Sequence, residues 1–287
     1  MLAVPSIFVY ESFSFATHNL ADLRAAYVVC RDVHTESKYV EQKDYLSRYT
    51  HESAVTRRES NERLNAEFTL DWLRSMKEEL SKFIPFLTRK CGMEFRGRVL
   101  EIGAGAAWFG AELSKLPTVV EVVVTDLSPR LLREQAPKVF KALKANCAKI
   151  TRTPGDFHKL DFPSNHFDAV VCSSVLHQAT NMVQCLREAK RVLKAGGKFI
   201  AIREPVWPAA KLKAQAKTRA RLAADGVADP IYTLADYKEF FLQAGFPLEV
   251  KEVNLNKGFR HFVRQLVKNR PRSRYAFVGT KKSRALA

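Results

Sequence analysis

The sequence predicts an α/β fold built around a mostly parallel sheet, and three observations predict it. From about residue 97 onward, short apolar runs alternate with amphipathic stretches. The runs are continuously apolar, as in Val122-Val123-Val124 and Ala169-Val170-Val171-Cys172, which is how strands covered on both faces read. The first run passes straight into the turn Gly103-Ala104-Gly105 and then into a helical stretch, the opening of a βαβ unit. With 287 residues, 46% hydrophobic and 27% charged, the chain is long enough to bury a core without staples and too apolar to be disordered.

The elements follow in order. Residues from about 17 to 90 read as helical, and residues 1–92 as an N-terminal helical cap on the substrate side. Phe68, Leu70, Trp72, Leu73, Met76, Leu80, Phe83 and Ile84 recur there at helical spacing among charged neighbours. Pro85 lacks an amide N–H and is expected to kink or end that helix. The opening MLAVPSIFVYESFSF is apolar, but Glu11 interrupts it and no basic residue precedes it, so it reads as a docked segment rather than a secretory signal. Strands are expected at Gly97–Ile102, Val119–Thr125, Lys149–Thr153, Phe167–Ser173 and Gly197–Arg203. Helices are expected at Trp108–Leu116, Leu131–Asn146 and Asn181–Lys194, the last stopped by Ala195-Gly196-Gly197.

Beyond Arg203 comes a lid-like insert, 205–230, and then a helix from about Leu234 to Ala244. Thr233 is its cap, with Asp236 three residues on, a variant of the capping box. Strands at Leu248–Asn254 and Tyr275–Gly279 close the chain. A basic insert, 256–272, separates them, and in its GFRHFVRQLVKN the residues Phe259, Phe262, Val263 and Leu266 share one helical face. Residues 93–287 are therefore expected to form one α/β domain.

Charge is unevenly spread. The chain carries 47 Lys+Arg against 30 Asp+Glu, a formal net charge of +17. Residues 1–185 hold 24 basic and 22 acidic side chains, whereas 186–287 hold 23 and 8. The stretch 209–224 has five basic residues and no acid, and 253–287 has ten and none. Such a balance fits either a solvated surface or an anionic partner. The five cysteines (Cys30, Cys91, Cys147, Cys172, Cys185) form no C-x-x-C pair and no even framework, which favours a reducing, cytosolic setting and excludes a zinc-ribbon pattern. No stretch approaches the roughly 18 apolar residues of a membrane span.

The most informative segment is Val99-Leu100-Glu101-Ile102-Gly103-Ala104-Gly105-Ala106-Ala107-Trp108-Phe109-Gly110. Gly103 and Gly105 can take positive φ and let backbone approach a ligand, with free N–H groups at the helix start beyond. A nicotinamide-dinucleotide site needs a third glycine where Trp108 stands, and Trp108 would crowd the pyrophosphate approach, so a dinucleotide is not expected. Asp126 ends the next strand, 21 residues past Gly105, where a carboxylate can accept from two ribose hydroxyls; capping the turn before Ser128-Pro129 is its other reading. After the third strand, Asp156 and Phe157 could accept from an exocyclic amine and cover a flat ring, or Asp156 could close an Asx turn.

Four stretches together resemble the class I S-adenosylmethionine-dependent methyltransferases, of the small-molecule type that includes the ubiquinone/menaquinone-biosynthesis enzymes. They are VLEIGAGAAWFG (99–110), VVVTDLSP (122–129), GDFHKLDFPSNHFDAVVCSSVLHQ (155–178) and LREAKRVLKAGGKFIAIREPVWP (186–208), covering about 97–208. The resemblance implies a Rossmann-like seven-stranded, mostly parallel sheet of order 3-2-1-4-5-7-6 with strand 7 antiparallel. It implies that S-adenosyl-L-methionine is the cofactor, with S-adenosyl-L-homocysteine as product and no metal. By this likeness Glu101, Gly103, Ala104 and Gly105 lie along the methionine part, Asp126 holds the ribose diol and Leu127 packs on adenine. Asp156 and Phe157 resemble the pair that reads the adenine edge, and Ser173 and Ser174 the residues facing the methionine and methyl. Two departures stand out: the family's common third glycine is Ala107, and its proline-rich turn reads Leu160-Asp161-Phe162-Pro163.

Methyl transfer from a sulfonium is an in-line displacement, so the protein must align the acceptor and, for a hydroxyl or carbon acid, take its proton. His177, in SSVLHQ, is the first candidate base, histidine being the side chain best suited to general-base work; holding a loop or contacting the cofactor carboxylate is its alternative. Glu204, in Arg203-Glu204-Pro205, is the second, with a loop ion pair to Arg203 as its alternative. His158 and His166 read as surface-turn residues. No Asn/Asp-Pro-Pro-Tyr, Pro-Cys or Thr-Cys stretch occurs, and no further acidic cluster, which argues against amine methylation of nucleic acid of that type, covalent cytosine methylation and metal-assisted catechol methylation. The expected acceptor is a small or lipid-like molecule, and the basic 209–224 stretch admits an anionic one or an acidic carrier protein. The competing readings are an RNA methyltransferase gripping phosphates through its basic C-terminal third, peripheral contact with an anionic membrane through the 258–269 face, and a non-catalytic cofactor-binding partner protein.

Overall fold

The computed structural model describes residues 37–39, 70–209, 232–253 and 275–282. Most of the expected N-terminal cap, the 210–230 part of the lid-like insert, the 256–272 insert and Cys30 lie outside the described residues.

Eight strands form one sheet. They are β1 (Lys38–Tyr39), β2 (Gly97–Ile102), β3 (Val119–Asp126), β4 (Ile150–Pro154), β5 (Phe167–Ser173), β6 (Leu193–Ile202), β7 (Leu248–Glu252) and β8 (Tyr275–Thr280). Their spatial order is β1-β4-β3-β2-β5-β6-β8-β7. Leaving aside the two-residue β1, this is the expected 3-2-1-4-5-7-6 arrangement. β8 is antiparallel to both neighbours, and the remaining pairs are parallel. β1, at the edge beside β4, corrects the all-helical reading of 17–90: Lys38 and Tyr39 add a strand.

Helices cover both faces because the strands are apolar on both. Val99, Val122, Val124 and Val171 pack on one side with Leu80, Phe83 and Leu87 of α1 (Leu70–Cys91), Phe109 and Leu113 of α2 (Trp108–Ser114), and Val139 and Phe140 of α3 (Ala136–Leu143). Leu100, Val123, Val170, Cys172 and Phe277 face the other side, against Cys185, Leu186 and Ala189 of α4 (Met182–Val192) and Tyr237 and Phe241 of α5 (Leu234–Gln243). A π-helical turn, Leu131–Gln135, leads into α3. The capping box expected at α5 is present, with both Thr233–Asp236 bonds formed.

Two sequence expectations need correction. Of the kink or stop expected at Pro85, the stop does not occur: α1 runs through Pro85 to Cys91. Its last carbonyls are met from outside the helix: Lys198 Nζ on β6 donates to Gly92 O at 2.7 Å and Cys91 O at 3.3 Å. Gly196-Gly197 is not the stop after α4, because β6 already begins at Leu193 and the pair forms an irregularity within that strand.

Candidate active site at the carboxyl edge of the sheet

Ligands of open α/β sheets bind beyond the carboxyl ends of the strands, where the order reverses. Here that point lies between β2 and β5, and the predicted site residues gather at the tips of β2–β6. Gly103 and Gly105 have φ of +57° and +53°. A Cβ on Gly103 would meet Val175 Cγ2 at 2.2 Å, so only glycine lets the loop after β5 close on this turn. A Cβ on Gly105 would meet nothing within 4 Å among the described residues, so its backbone borders space that they leave open. Ala107, at the position of the third glycine, also takes a left-handed conformation, with φ +58°.

The tips are stitched together by backbone bonds. Ala104 N–H donates to Thr125 O at 2.9 Å, Gly155 N–H to Asp126 O at 3.0 Å and Ser174 N–H to Ile202 O at 2.9 Å. Asp126 binds across this seam: its Oδ2 accepts from Gly105 N–H at 2.7 Å and its Oδ1 from Ser128 N–H at 2.8 Å. It thereby braces the glycine turn as well as capping its own. Leu127 beside it is partly exposed.

Glu101 lies below the turn rather than in it. It is buried, and its Oε2 accepts from Gly110 N–H at 2.6 Å, tying β2 to α2. Burial pushes its carboxyl up to about 8, against the opposing pull of the Gly110 N–H and with a further upward push from the Asp126 charge.

Asp156 closes an Asx turn, accepting at Oδ1 from His158 N–H and facing His158 Nδ1, both at 2.8 Å. His158 sits on a partly exposed turn, and its Nε2 accepts from Asn181 N–H at 3.2 Å, joining the loops after β4 and β5. Phe157 lies beside that ring at 4.7 Å between centroids, tilted 47° to it. The Leu160–Pro163 turn is anchored despite its unusual sequence. Arg191 donates to the carbonyls of Leu160 at 2.7 Å and Phe162 at 2.8 Å, and Leu160 N–H donates to Glu188.

At the tip of β5, Ser173 Oγ is buried with no hydrogen-bond partner among the described residues, and Ser174 has φ +59°. His177 and Glu204, unrelated by any sequence spacing, come together. His177 Nδ1 lies 2.9 Å from Glu204 Oε2, and both residues are buried. Glu204 Oε1 also accepts from the N–H groups of Val175 (2.8 Å) and Leu176 (3.1 Å), and Oε2 from His177 N–H (3.2 Å) and Tyr237 hydroxyl (3.5 Å). The ion pair weighed between Glu204 and Arg203 does not form: Arg203 Nε faces Glu79 of α1 at 3.3 Å. Tyr237 escaped sequence reasoning because it sits among the apolar positions of α5 with nothing local to mark it. Burial and the Glu204 carboxylate push its phenol upward, so it stays a donor.

Residues 100–201 match a protein family described as "Methyltransferase domain". The ubiquinone/menaquinone biosynthesis C-methyltransferase UbiE of Pseudomonas fluorescens is 32% identical over 119 residues, 41% of this chain and 45% of that protein. The chain thus spans less than half the length of the curated relatives it matches. Among solved structures, the YcgJ protein of Bacillus subtilis aligns with TM-score 0.52 and 19% identity, over 71% of this chain and 98% of that one. Phosphoethanolamine N-methyltransferase 2 of Haemonchus contortus, in complex with S-adenosyl-L-methionine, aligns with TM-score 0.52 and 15% identity, over 76% and 59%. These two likenesses concern the fold. No group of three His, Cys, Asp or Glu among the described residues could hold a metal ion, and no described helix is long and apolar enough to cross a membrane.

Proposed function

We propose that this chain, whose residues 100–201 form a methyltransferase domain of the class I, S-adenosylmethionine-dependent kind, moves a methyl group from that cofactor to a small-molecule or lipid-like acceptor. One observation carries the reading. The turn at Gly103–Gly105, braced by Asp126 from the neighbouring strand, borders space that the described residues leave open at the point where the strand order reverses.

The residues present fit the cofactor. Among the described residues, the space over Gly105 admits a ligand close to the backbone, and the Ser173 hydroxyl, without a hydrogen-bond partner there, offers a polar contact at the tip of β5. In this reading Gly103, Ala104 and Gly105 lie along the methionine part, with Glu101 holding the helix beneath them. Asp126 accepts from the ribose hydroxyls, Leu127 packs on adenine, and Asp156 with Phe157 reads the adenine edge. Ser173 and Ser174 face the methionine end. Bound S-adenosylmethionine supplies an electrophilic methyl, leaving the protein to align the acceptor, exclude water and take up a proton. His177 is the group proposed to take it.

For the acceptor, the reading draws on a cavity of about 340 Å³ beyond the end of β6, lined by Val206, Trp207, Pro208, Thr233, Leu234 and Tyr275, with no charged residue among the described lining. This supports an apolar part to the acceptor, and the likeness to ubiquinone/menaquinone C-methyltransferases favours carbon as the methylated atom. An anionic portion, a cytoplasmic setting and peripheral contact with an anionic membrane or an acidic carrier protein belong to the same proposal, on the strength of the basic C-terminal third.

The test is ligand-dependent thermal stabilisation. S-adenosylmethionine and S-adenosylhomocysteine should raise the melting temperature progressively with concentration, whereas a nicotinamide dinucleotide should not. Stabilisation by the dinucleotide instead would overturn the assignment.

A further inference from the structure

We infer that Glu204 is a positioning residue, which presents His177 as a base by committing its Nδ1 to a hydrogen bond and leaving Nε2 with the lone pair. This rests on the reading of the site as a methyltransferase centre.

Glu204 is fully buried and both of its oxygens are engaged. Five donors converge on them: three successive backbone N–H groups from Val175 to His177, the His177 ring and the Tyr237 hydroxyl. A carboxylate only accepts, so the imidazole must donate through Nδ1. Imidazole in water favours the other tautomer, with its proton on Nε2, so the choice here is imposed by Glu204. The same carboxylate fastens the turn Leu176–Gln178 that carries the ring, and Val175 at its start packs into the space left by Gly103. One buried side chain thus sets the tautomer of His177 and ties its loop to the glycine turn.

The step this serves is balanced. As the acceptor's nucleophilic atom bonds to the methyl carbon, the methyl–sulfur electron pair returns to sulfur. The acceptor's proton passes to His177 Nε2, and the resulting imidazolium keeps its Nδ1–H on Glu204, whose charge opposes it. Glu204, with both oxygens occupied, does not itself take the proton. Stabilising a cation that forms only during the reaction favours the transition state over the ground state.

Nitrogen NMR of the histidine-labelled protein tests this without an acceptor. His177→Gln identifies the His177 signals by their loss. The wild type should show the Nδ1–H tautomer with a strongly downfield, exchange-protected Nδ1 proton; the Nε2–H tautomer would overturn the inference. In Glu204→Gln the side-chain amide turns a donor toward Nδ1, so the ring should switch to the Nε2–H tautomer. An unchanged tautomer would remove Glu204 as the cause. If that variant does not fold, Glu204→Asp draws the charge back by one methylene, and the Nδ1 proton should lose its protection; retained protection would again count against the role. Failure here with S-adenosylmethionine binding intact sinks this inference alone. The expected spectrum without cofactor binding sinks the methyltransferase reading alone.

Discussion

Glu101 and the two glycines set the behaviour of the site at the scale of single residues. Glu101 has its carboxyl raised by burial from an ordinary value near 4.5 to about 8. Across that window the unfolded chain releases a proton that the folded protein keeps, so this group's contribution to stability is full below about pH 4.5 and falls as pH rises to about 8. Glu101→Gln keeps an acceptor for Gly110 N–H but cannot ionise. Its melting temperature relative to wild type should therefore climb between these two pH values, and parallel profiles would contradict the assignment. Gly103→Ala and Gly105→Ala should separate space from strain. Both incur the left-handed penalty of roughly 1–2 kcal/mol, but Gly103→Ala also collides with Val175, bringing its cost to about 2–5 kcal/mol. Denaturant titration should rank them so. Gly105→Ala should weaken cofactor binding while losing less stability than Gly103→Ala, because its Cβ points into the space proposed for the ligand.

These residues were legible because their signal is local: a glycine turn after an apolar run, and an acid at the end of the next one. His177 and Glu204 were each visible as candidates, but not as a pair. Twenty-seven residues separate them, and the three amides that hold Glu204 carry no side-chain signature.

At the scale of elements, strand periodicity served well where strands are buried on both faces, and β2 and β5 fall at the limits read from the sequence. Errors arose where tertiary partners override local chemistry. Pro85 is tolerated inside α1, whose Leu80, Phe83 and Leu87 are buried against the sheet. Gly196-Gly197 looks like a helix stop but lies in β6, because the edge of β5 recruits the chain from Leu193 onward. Lys38–Tyr39 joins the sheet beside β4, a pairing too short to leave a period in the sequence. α1 is held to the sheet partly by two charged contacts, Lys198 to the carbonyls of its C-terminus and Arg203 to Glu79. Lys198→Met should cost about 1–2 kcal/mol and speed amide exchange through 77–91. Unchanged exchange there would show that apolar packing alone docks the helix.

For the whole molecule, the charge is unevenly divided along the chain. The first 185 residues, which include most of the cofactor motifs, are nearly balanced, and the excess of basic side chains lies beyond them. If S-adenosylmethionine binds at the proposed site, its affinity should vary little with salt. The Gly103–Gly105 turn and Asp126 together are the proposed cofactor site. Isothermal titration calorimetry with S-adenosylmethionine tests it most directly. Saturable binding to the wild type, weakened at least about ten-fold, or about 1.4 kcal/mol, in a folded Asp126→Ala variant, is the predicted result. A wild type that binds none, or a variant that binds as tightly, would contradict it.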